Sequence, residues 1–141
     1  MELYPDQLVE IEAIASLSRS SAVPTFDDVR RIAIALPEAT VDDTGTAFRV
    51  DGKLFAWPWM ERVDPKRARV PNLSVLVVRV ASELDKDAII DMDPNAFFTE
   101  PHYEGYPAIL VRLEAIDDPM LEKLIGDAWR LRAPKRLRDR T

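Results

Sequence analysis

The stretch FRVDGKLFAW, residues 48–57, decides the fold class because its pattern is typical of an antiparallel hairpin. Asp51 and Gly52 predict a two-residue turn, since the favoured turn requires a positive φ at both central positions. In that register Phe48 pairs with Phe55 across the two strands. The four large apolar residues of the hairpin are then expected to share one buried face of the sheet: Phe48, Val50, Phe55 and Trp57.

Three further stretches indicate strands on either side of this hairpin. Residues 73–80 are apolar on both faces of the pleat, which favours a central strand, and residues 97–98 indicate a short one. Residues 109–113 alternate, with apolar residues inward and Arg112 outward. Between the hairpin and the central strand, residues 58–72 are expected to be a long connection interrupted by prolines.

Three helices are marked by their N-cap residues, and Pro134 is expected to end the last of them. The expected N-caps are Thr25 (paired with Asp28), Ser82 (paired with Asp85) and Asp118 (followed by Pro119). The residues expected to face the core are Val29, Ile32, Ala33 and Leu36 in the first helix, Leu84 and Ala88 in the second, and Leu121, Leu124, Ile125, Ala128 and Leu131 in the third.

The order helix, three strands, helix, two strands, helix predicts a two-layer α+β domain with a mostly antiparallel five-stranded sheet. We expect this domain to occupy residues 25–141 and to end in a basic tail. Residues 1–24 are expected to be an N-terminal helical extension and linker, because Leu8, Ile11 and Ala15 follow helical spacing.

Composition excludes several classes of protein. The 141 residues, 47% of them apolar, are enough for one hydrophobic core, and the absence of cysteine excludes disulfides, thiolate catalysis and cysteine-ligated zinc. No stretch approaches the ~20 apolar residues of a membrane span, and the acidic start does not resemble a secretory signal. We therefore expect a cytoplasmic monomer that does not bind membranes. The net charge of −6 opposes binding to a polyanion unless basic residues are locally concentrated.

Four motifs carry a resemblance to a known family: TFDDVRRIAIALPE (25–38), GKLFA (52–56), FFTEPHYEGYPAILVRL (97–113) and DAWRLRAPKRL (127–137). In this order they resemble the MmcQ/YjbR family. The resemblance implies a compact fold like that of frataxin or the secretion chaperones, and a DNA-binding role in which two hairpins form wings beside a helix. The N-terminal extension and the Trp- and Arg-containing connection at 58–72 depart from a minimal member of the family.

Two sets of basic residues are the candidate phosphate contacts. The wing set has nearby acids and tryptophans, so it fits either a solvated loop or phosphate contact with stacking. The C-terminal set follows the last helix, where cations also stabilise the helix dipole. The wing set is Arg62, Lys66, Arg67 and Arg69, and the C-terminal set is Arg132, Lys135, Arg136 and Arg138. Together they outweigh the acidic remainder only if they share one face.

The aromatic residues of two segments form a second candidate site, for a protein or peptide partner. A structural interpretation is open for the tyrosines, which would close the edge of the core, and is favoured for His102, which would fix a turn by a local hydrogen bond. A sheet edge is another way to bind a peptide. The candidate partner-binding residues are Trp59, His102, Tyr103 and Tyr106.

Catalysis has no named candidate residue. The single histidine lacks a recognisable nucleophile motif, and the four glycines have neither dinucleotide nor P-loop spacing. Asp91, Asp93 and Asn95 begin like a calcium loop, but Ala96 and His102 occupy the positions that need glycine and glutamate. We expect no enzyme activity, no cofactor and no metal site. The leading hypothesis is weak, salt-dependent DNA binding, with protein or peptide binding as the alternative.

Overall fold

The computed structural model describes residues 23–139, so the predicted helix over 1–24 lies almost wholly outside the described residues. Within this range the chain forms a single antiparallel sheet with helices on one face. The strands are β1 (Thr40–Val41), β2 (Phe48–Val50), β3 (Lys53–Glu61), β4 (Val70–Arg79), β5 (Phe97–Phe98) and β6 (Ala108–Arg112), and their spatial order in the sheet is β1-β2-β3-β4-β6-β5. The helices are α1 (Phe26–Ile34), α2 (Glu83–Met92), α3 (Asp118–Arg132) and α4 (Lys135–Arg138).

This architecture confirms the predicted two-layer α+β class. Central β4 pairs with β3 and β6, and its residues from Val75 to Val78 are buried from both sides. The sequence prediction missed β1, a two-residue sixth strand, and α4, a single helical turn. The predicted turn is also correct, since Asp51 and Gly52 both have positive φ, at 53° and 72°.

The hairpin register differs from the prediction because β3 contains a bulge. Phe48 pairs with Ala56 rather than Phe55, while Arg49 still pairs with Leu54. The extra residue, Phe55, turns its side chain to the same face as Ala56, and the alternation is shifted beyond that point. Trp57 is therefore buried on the opposite face from Phe48, and the prediction of one shared face is wrong for Trp57.

Nearly half of the predicted long connection at 58–72 is strand. Residues 59–61 pair with residues 70–72, so that only residues 62–69 form the loop between β3 and β4. Pro58 is tolerated inside β3 because the register shifts between Pro58 and Trp59, where a missing N–H breaks no regular ladder. The result is a long hairpin with an eight-residue tip.

Two helices present different residues to the core than the apolar pattern predicted. In α2, Leu84 is 79% exposed and Ala88 is also exposed, whereas the charged Lys86 is the buried residue. In α3, Leu131 is exposed and Trp129 is buried in its place. Lys86 can be buried although it is charged, because its ammonium group donates hydrogen bonds to acceptors inside the molecule.

The ends of α3 also differ in detail from the prediction. Asp117 rather than Asp118 is the N-cap, because its carboxylate accepts the backbone N–H of Met120 at 3.0 Å. Helix α3 ends before Pro134 as expected, but the predicted basic tail is not a free extension. It continues as α4, whose Leu137 is fully buried in the core.

Candidate nucleic-acid interface

The tip of the β3–β4 hairpin holds the whole predicted wing set, here called the loop cluster: Arg62, Lys66, Arg67 and Arg69. Arg62 donates from Nη1 to the carbonyl of Arg67 at 2.8 Å, and Arg69 donates from Nη1 to the carbonyl of Met60 at 3.0 Å. A carbonyl acceptor positions a guanidinium group but does not neutralise its charge. The hairpin backbone thus holds two cations in place at its tip.

Asp64 is the acidic residue of the same loop. Its carboxylate lies 3.5 Å from Nε of Arg67 and accepts the backbone N–H of Lys66 at 3.0 Å. Within residues 23–139, Arg67 is the one member of the loop cluster that is ion-paired. Because Arg67 is exposed, this ion pair is weakened by solvent and leaves the cluster with a net positive charge.

The predicted C-terminal set, here called the C-terminal cluster, lies at the end of α3 and in α4: Arg132, Lys135, Arg136 and Arg138. Arg136 donates two hydrogen bonds of 3.0 Å to the carboxylate of Glu38, which raise the pKa of its guanidinium group. Glu38 has a φ of 55°, which is an uncommon backbone conformation for a residue other than glycine. Its ion pair with Arg136 helps to hold this conformation. Lys135 pairs with Asp139 at 3.2 Å. These contacts give the cluster a structural role.

The two clusters lie at opposite ends of strand β3. Arg136 is close enough to Asp51, in the turn before β3, for the Asp51 charge to raise its pKa, whereas Arg62 follows the last residue of β3. A strand of nine residues spans roughly 30 Å at about 3.3 Å per residue. Electrostatic screening acts over about 10 Å at 0.1 M salt. The structure therefore does not bring the two clusters together on one surface.

The face of the sheet opposite the helices, here called the sheet face, carries further arginines that sequence reasoning did not single out as binding residues. Arg112 places its guanidinium 4.0 Å from the ring centroid of Phe98, and Arg79 lies 5.1 Å from that of Tyr106. Arg49 pairs with Leu54 on the same face. Their signal was present in the sequence, since each alternates with residues that face the core.

Two aromatic groups lie on the sheet face. Trp59 meets Phe98 edge to face, with ring centroids 6.0 Å apart and planes at 84°. Trp57 donates its indole N–H to the Tyr103 hydroxyl at 3.0 Å, and the Tyr103 ring lies 6.2 Å from that of Tyr106. Tyr103 is only 8% exposed, while Tyr106 is 41% exposed. Of the two predicted partner-binding tyrosines, Tyr106 is the accessible one.

His102 lies beside these tyrosines at the surface. Its ring meets that of Tyr103 edge to face at 5.1 Å, within the 3₁₀ turn Pro101–Tyr103. In the part of the chain that the structure describes, no group of three or more histidine, aspartate or glutamate side chains could hold a metal ion. The ring contact that the structure shows for His102 is with Tyr103, which is consistent with a place in the turn.

Lys86 connects the helical layer to the segment that covers the sheet face. Its ammonium group donates to the carbonyls of Tyr103 at 2.6 Å and Tyr106 at 2.9 Å, and it lies 3.9 Å from Glu83. Gly105, between the two carbonyls, has a φ of 80°, a conformation that favours glycine. A buried lysine from α2 thus sets the position of both tyrosines.

Comparison with known proteins assigns the family. The sequence model of the YjbR family matches residues 34–131, which is more than half of the chain. The chain belongs to the YjbR family. Two uncharacterised relatives, one from Mycobacterium bovis and one from Mycobacterium tuberculosis, are each 41% identical to this YjbR protein over 119 residues, covering 80% of its chain and 92% of theirs. No solved structure matches it.

The family match covers the hairpin, the sheet face and most of α3. The loop cluster, Lys86 and Tyr106 all fall within residues 34–131, whereas α4 lies beyond them. No helix described for this YjbR protein is long and apolar enough to cross a membrane. Membership in the family supports the fold and leaves the ligand to be argued from the site.

Proposed function

We propose that this YjbR protein is a non-enzymatic DNA-binding protein whose β3–β4 hairpin contacts phosphates through the loop cluster. The observation that carries the proposal is the uneven distribution of charge. Residues 48–80 contain seven basic and three acidic residues, a local net charge of +4 in a chain whose net charge is −6. This segment forms the hairpin, the central strand and part of the sheet face.

Helix α2, in the layer that packs on the opposite face of the sheet from the sheet face, is strongly acidic. Helix α2 carries four acidic residues, and its single basic residue, Lys86, is buried. A polyanion is attracted to the hairpin and repelled from α2, so the charge distribution orients the protein during encounter. The net charge therefore lowers the affinity without preventing binding through the positive side.

The alternative, binding of a protein or peptide, has weaker support from the geometry. Both edges of the sheet are strands of two residues, β1 and β5, which offer few backbone hydrogen bonds to an added strand. Tyr103 is buried, so of the two tyrosines in the candidate partner site only Tyr106 is accessible to a partner. A groove between α2 and α3, about 400 Å³ in volume and lined partly by Leu131, is the surface that fits a protein partner best.

Fluorescence anisotropy with labelled duplex DNA, at about 50 mM and about 150 mM salt, tests the proposal. The Lys66→Ala/Arg67→Ala double variant should bind more weakly. The slope of its log affinity against log salt concentration should become shallower by the amount that corresponds to about two phosphate contacts. The matched control, Lys135→Ala/Arg138→Ala, removes the same charge from the distant C-terminal cluster and should bind like wild type.

Absence of binding by wild type at the lower salt concentration would exclude phosphate contact as the function and turn attention to the α2–α3 groove. If the control variant weakens binding as much as the loop variant, the phosphate contacts do not lie at the hairpin tip.

A further inference from the structure

The sheet face has features that are not needed for contact between the hairpin tip and a DNA duplex. Its aromatic rings and most of its arginines lie along β2, β3, β4, β6 and β5, and Arg69 joins them from the loop between β3 and β4. No helix among residues 23–139 covers this side of the sheet, which is screened only in part by the segment at residues 101–107. The sheet face is thus a surface with its own ligand chemistry.

Partly uncovered aromatic rings are the first feature of this surface. Trp59 is half-buried, and its edge-to-face contact with Phe98 covers only part of either ring. Tyr106 is 41% exposed on the other side of Trp57. Exposed rings gain free energy by stacking on unpaired bases, whose own faces are open. In a duplex those faces are already covered by neighbouring base pairs.

Two depressions flank Trp57 and separate the aromatic groups. One, of about 310 Å³, is lined by apolar residues such as Leu54 and Met60 and by polar residues that include both Asp42 and Arg49. The other, of about 260 Å³, is lined by Trp57, His102, Tyr103 and Tyr106. Each is an open hollow beside an aromatic side chain and is suited to a planar ring.

Arginines beside these rings supply the complementary charge. Arg112 uses Nη1 to donate to the carbonyl of Asn95 at 3.0 Å, which leaves its other donors for a ligand. Arg69 is close enough to Tyr103 for its charge to act on that phenol, as is Glu100, whose charge acts in the opposite direction. Arg49 is exposed on β2, where it pairs with Thr40 of the edge strand β1. Cations next to stacking platforms are the combination that binds a single-stranded backbone and its bases.

We infer that the sheet face binds single-stranded DNA, with bases stacking on Trp59 and Tyr106 and phosphates contacting Arg49, Arg69 and Arg112. This inference rests on the proposed DNA-binding function and names its preferred ligand. The strand runs across the sheet face toward the hairpin tip, so the loop cluster serves both modes of binding.

Anisotropy titrations with a labelled single-stranded pyrimidine oligonucleotide, the matching duplex and an RNA strand of the same sequence test the inference. The single-stranded DNA should bind more tightly than the duplex. Trp59→Ala and, independently, Tyr106→Ala should each weaken single-strand binding about tenfold or more and leave duplex binding unchanged. Two variants at separate points of the surface keep the test valid if one of them fails to fold.

Trp59→Phe supplies a second readout that a purely structural role would not produce. Trp129 is buried in the core and Trp57 is 8% exposed, so most of the quenching of tryptophan fluorescence by single-stranded DNA should come from Trp59. Trp59→Phe should keep most of the affinity, because a ring is retained, but lose most of the quenching.

The outcomes separate this inference from the proposed function. If the duplex binds as tightly as the single strand, with unchanged dependence on Lys66 and Arg67, the function stands and the inference is wrong. Unchanged single-strand affinity in Trp59→Ala and Tyr106→Ala also overturns the inference, and tighter binding of the RNA strand overturns the assignment to DNA. If no probe binds, both proposals fall.

Discussion

Replacing Lys86 with methionine should destabilise the protein, although lysine is a charged residue on an exposed acidic helix. The side chain is 2% exposed and donates two charge-assisted hydrogen bonds, to the carbonyls of Tyr103 and Tyr106. Such bonds contribute about 1.5–3 kcal/mol each. Both carbonyls keep a backbone donor, from Tyr106 N–H at 3.0 Å and Ala108 N–H at 2.8 Å, so the lower end of that range applies.

The two bonds therefore contribute about 3 kcal/mol, and the relieved desolvation of the ammonium group reduces the net loss. We expect Lys86→Met to lower the free energy of unfolding by about 2 kcal/mol, or the melting temperature by roughly 6 °C. Urea denaturation monitored by circular dichroism gives the first quantity and a thermal scan the second.

Lys123→Met is the matched control, because Lys123 is an exposed lysine of α3 that pairs with Asp127 at 2.8 Å. It should leave the unfolding midpoint nearly unchanged. If Lys86→Met is as stable as this control, the lysine does not hold the segment at residues 101–107. The positions of Tyr103 and Tyr106 would then need another cause.

Further predictions concern the buried Leu137, the hydrogen-bonded Asp42 and the buried phenol of Tyr103. Leu137→Ala should lower the free energy of unfolding by about 2–5 kcal/mol in urea, because its side chain is fully buried, whereas a free tail would show no change. The hydroxyl of Thr44 and nearby backbone N–H groups hold the pKa of Asp42 below its usual 3.8, so Asp42 stabilises the fold above about pH 4 and loses this effect as the pH falls through the lowered value; the difference in urea midpoint between wild type and Asp42→Asn should close on acidification. Burial raises the pKa of the Tyr103 phenol above its usual 10, so its stabilising effect is complete below pH 10 and is lost as the pH rises through the raised value; the difference in urea midpoint between wild type and Tyr103→Phe should change over that alkaline range.

The fold could be predicted from the sequence wherever a local signal and the global pattern agree. Asp51-Gly52 requires a tight hairpin turn, and residues 75–78 are apolar on both faces, so the hairpin and central strand follow directly. The bulge at Phe55 could not be read in the same way. Phe55 and Ala56 are both apolar, so the sequence does not indicate where the alternation is shifted.

The candidate site was harder to predict because it depends on distances between segments. Counting charges identified the loop cluster and the C-terminal cluster, but not their separation by the length of β3. Lys86 was missed because helical periodicity was sought among apolar residues, and a lysine whose acceptors come from a distant loop leaves no local pattern. The positions of Arg49 and Arg79 on the sheet face could be predicted from the alternation of side chains along a strand once the pairing register was known.

Amide chemical-shift mapping by heteronuclear NMR, with unlabelled single-stranded DNA added to the labelled protein, locates the bound strand on the molecule. We expect salt-sensitive shifts in residues 57–69, in residues 98–112 and around Arg49, with little change along α2. Shifts concentrated on the α2–α3 groove, or no shifts at low salt, would contradict this expectation.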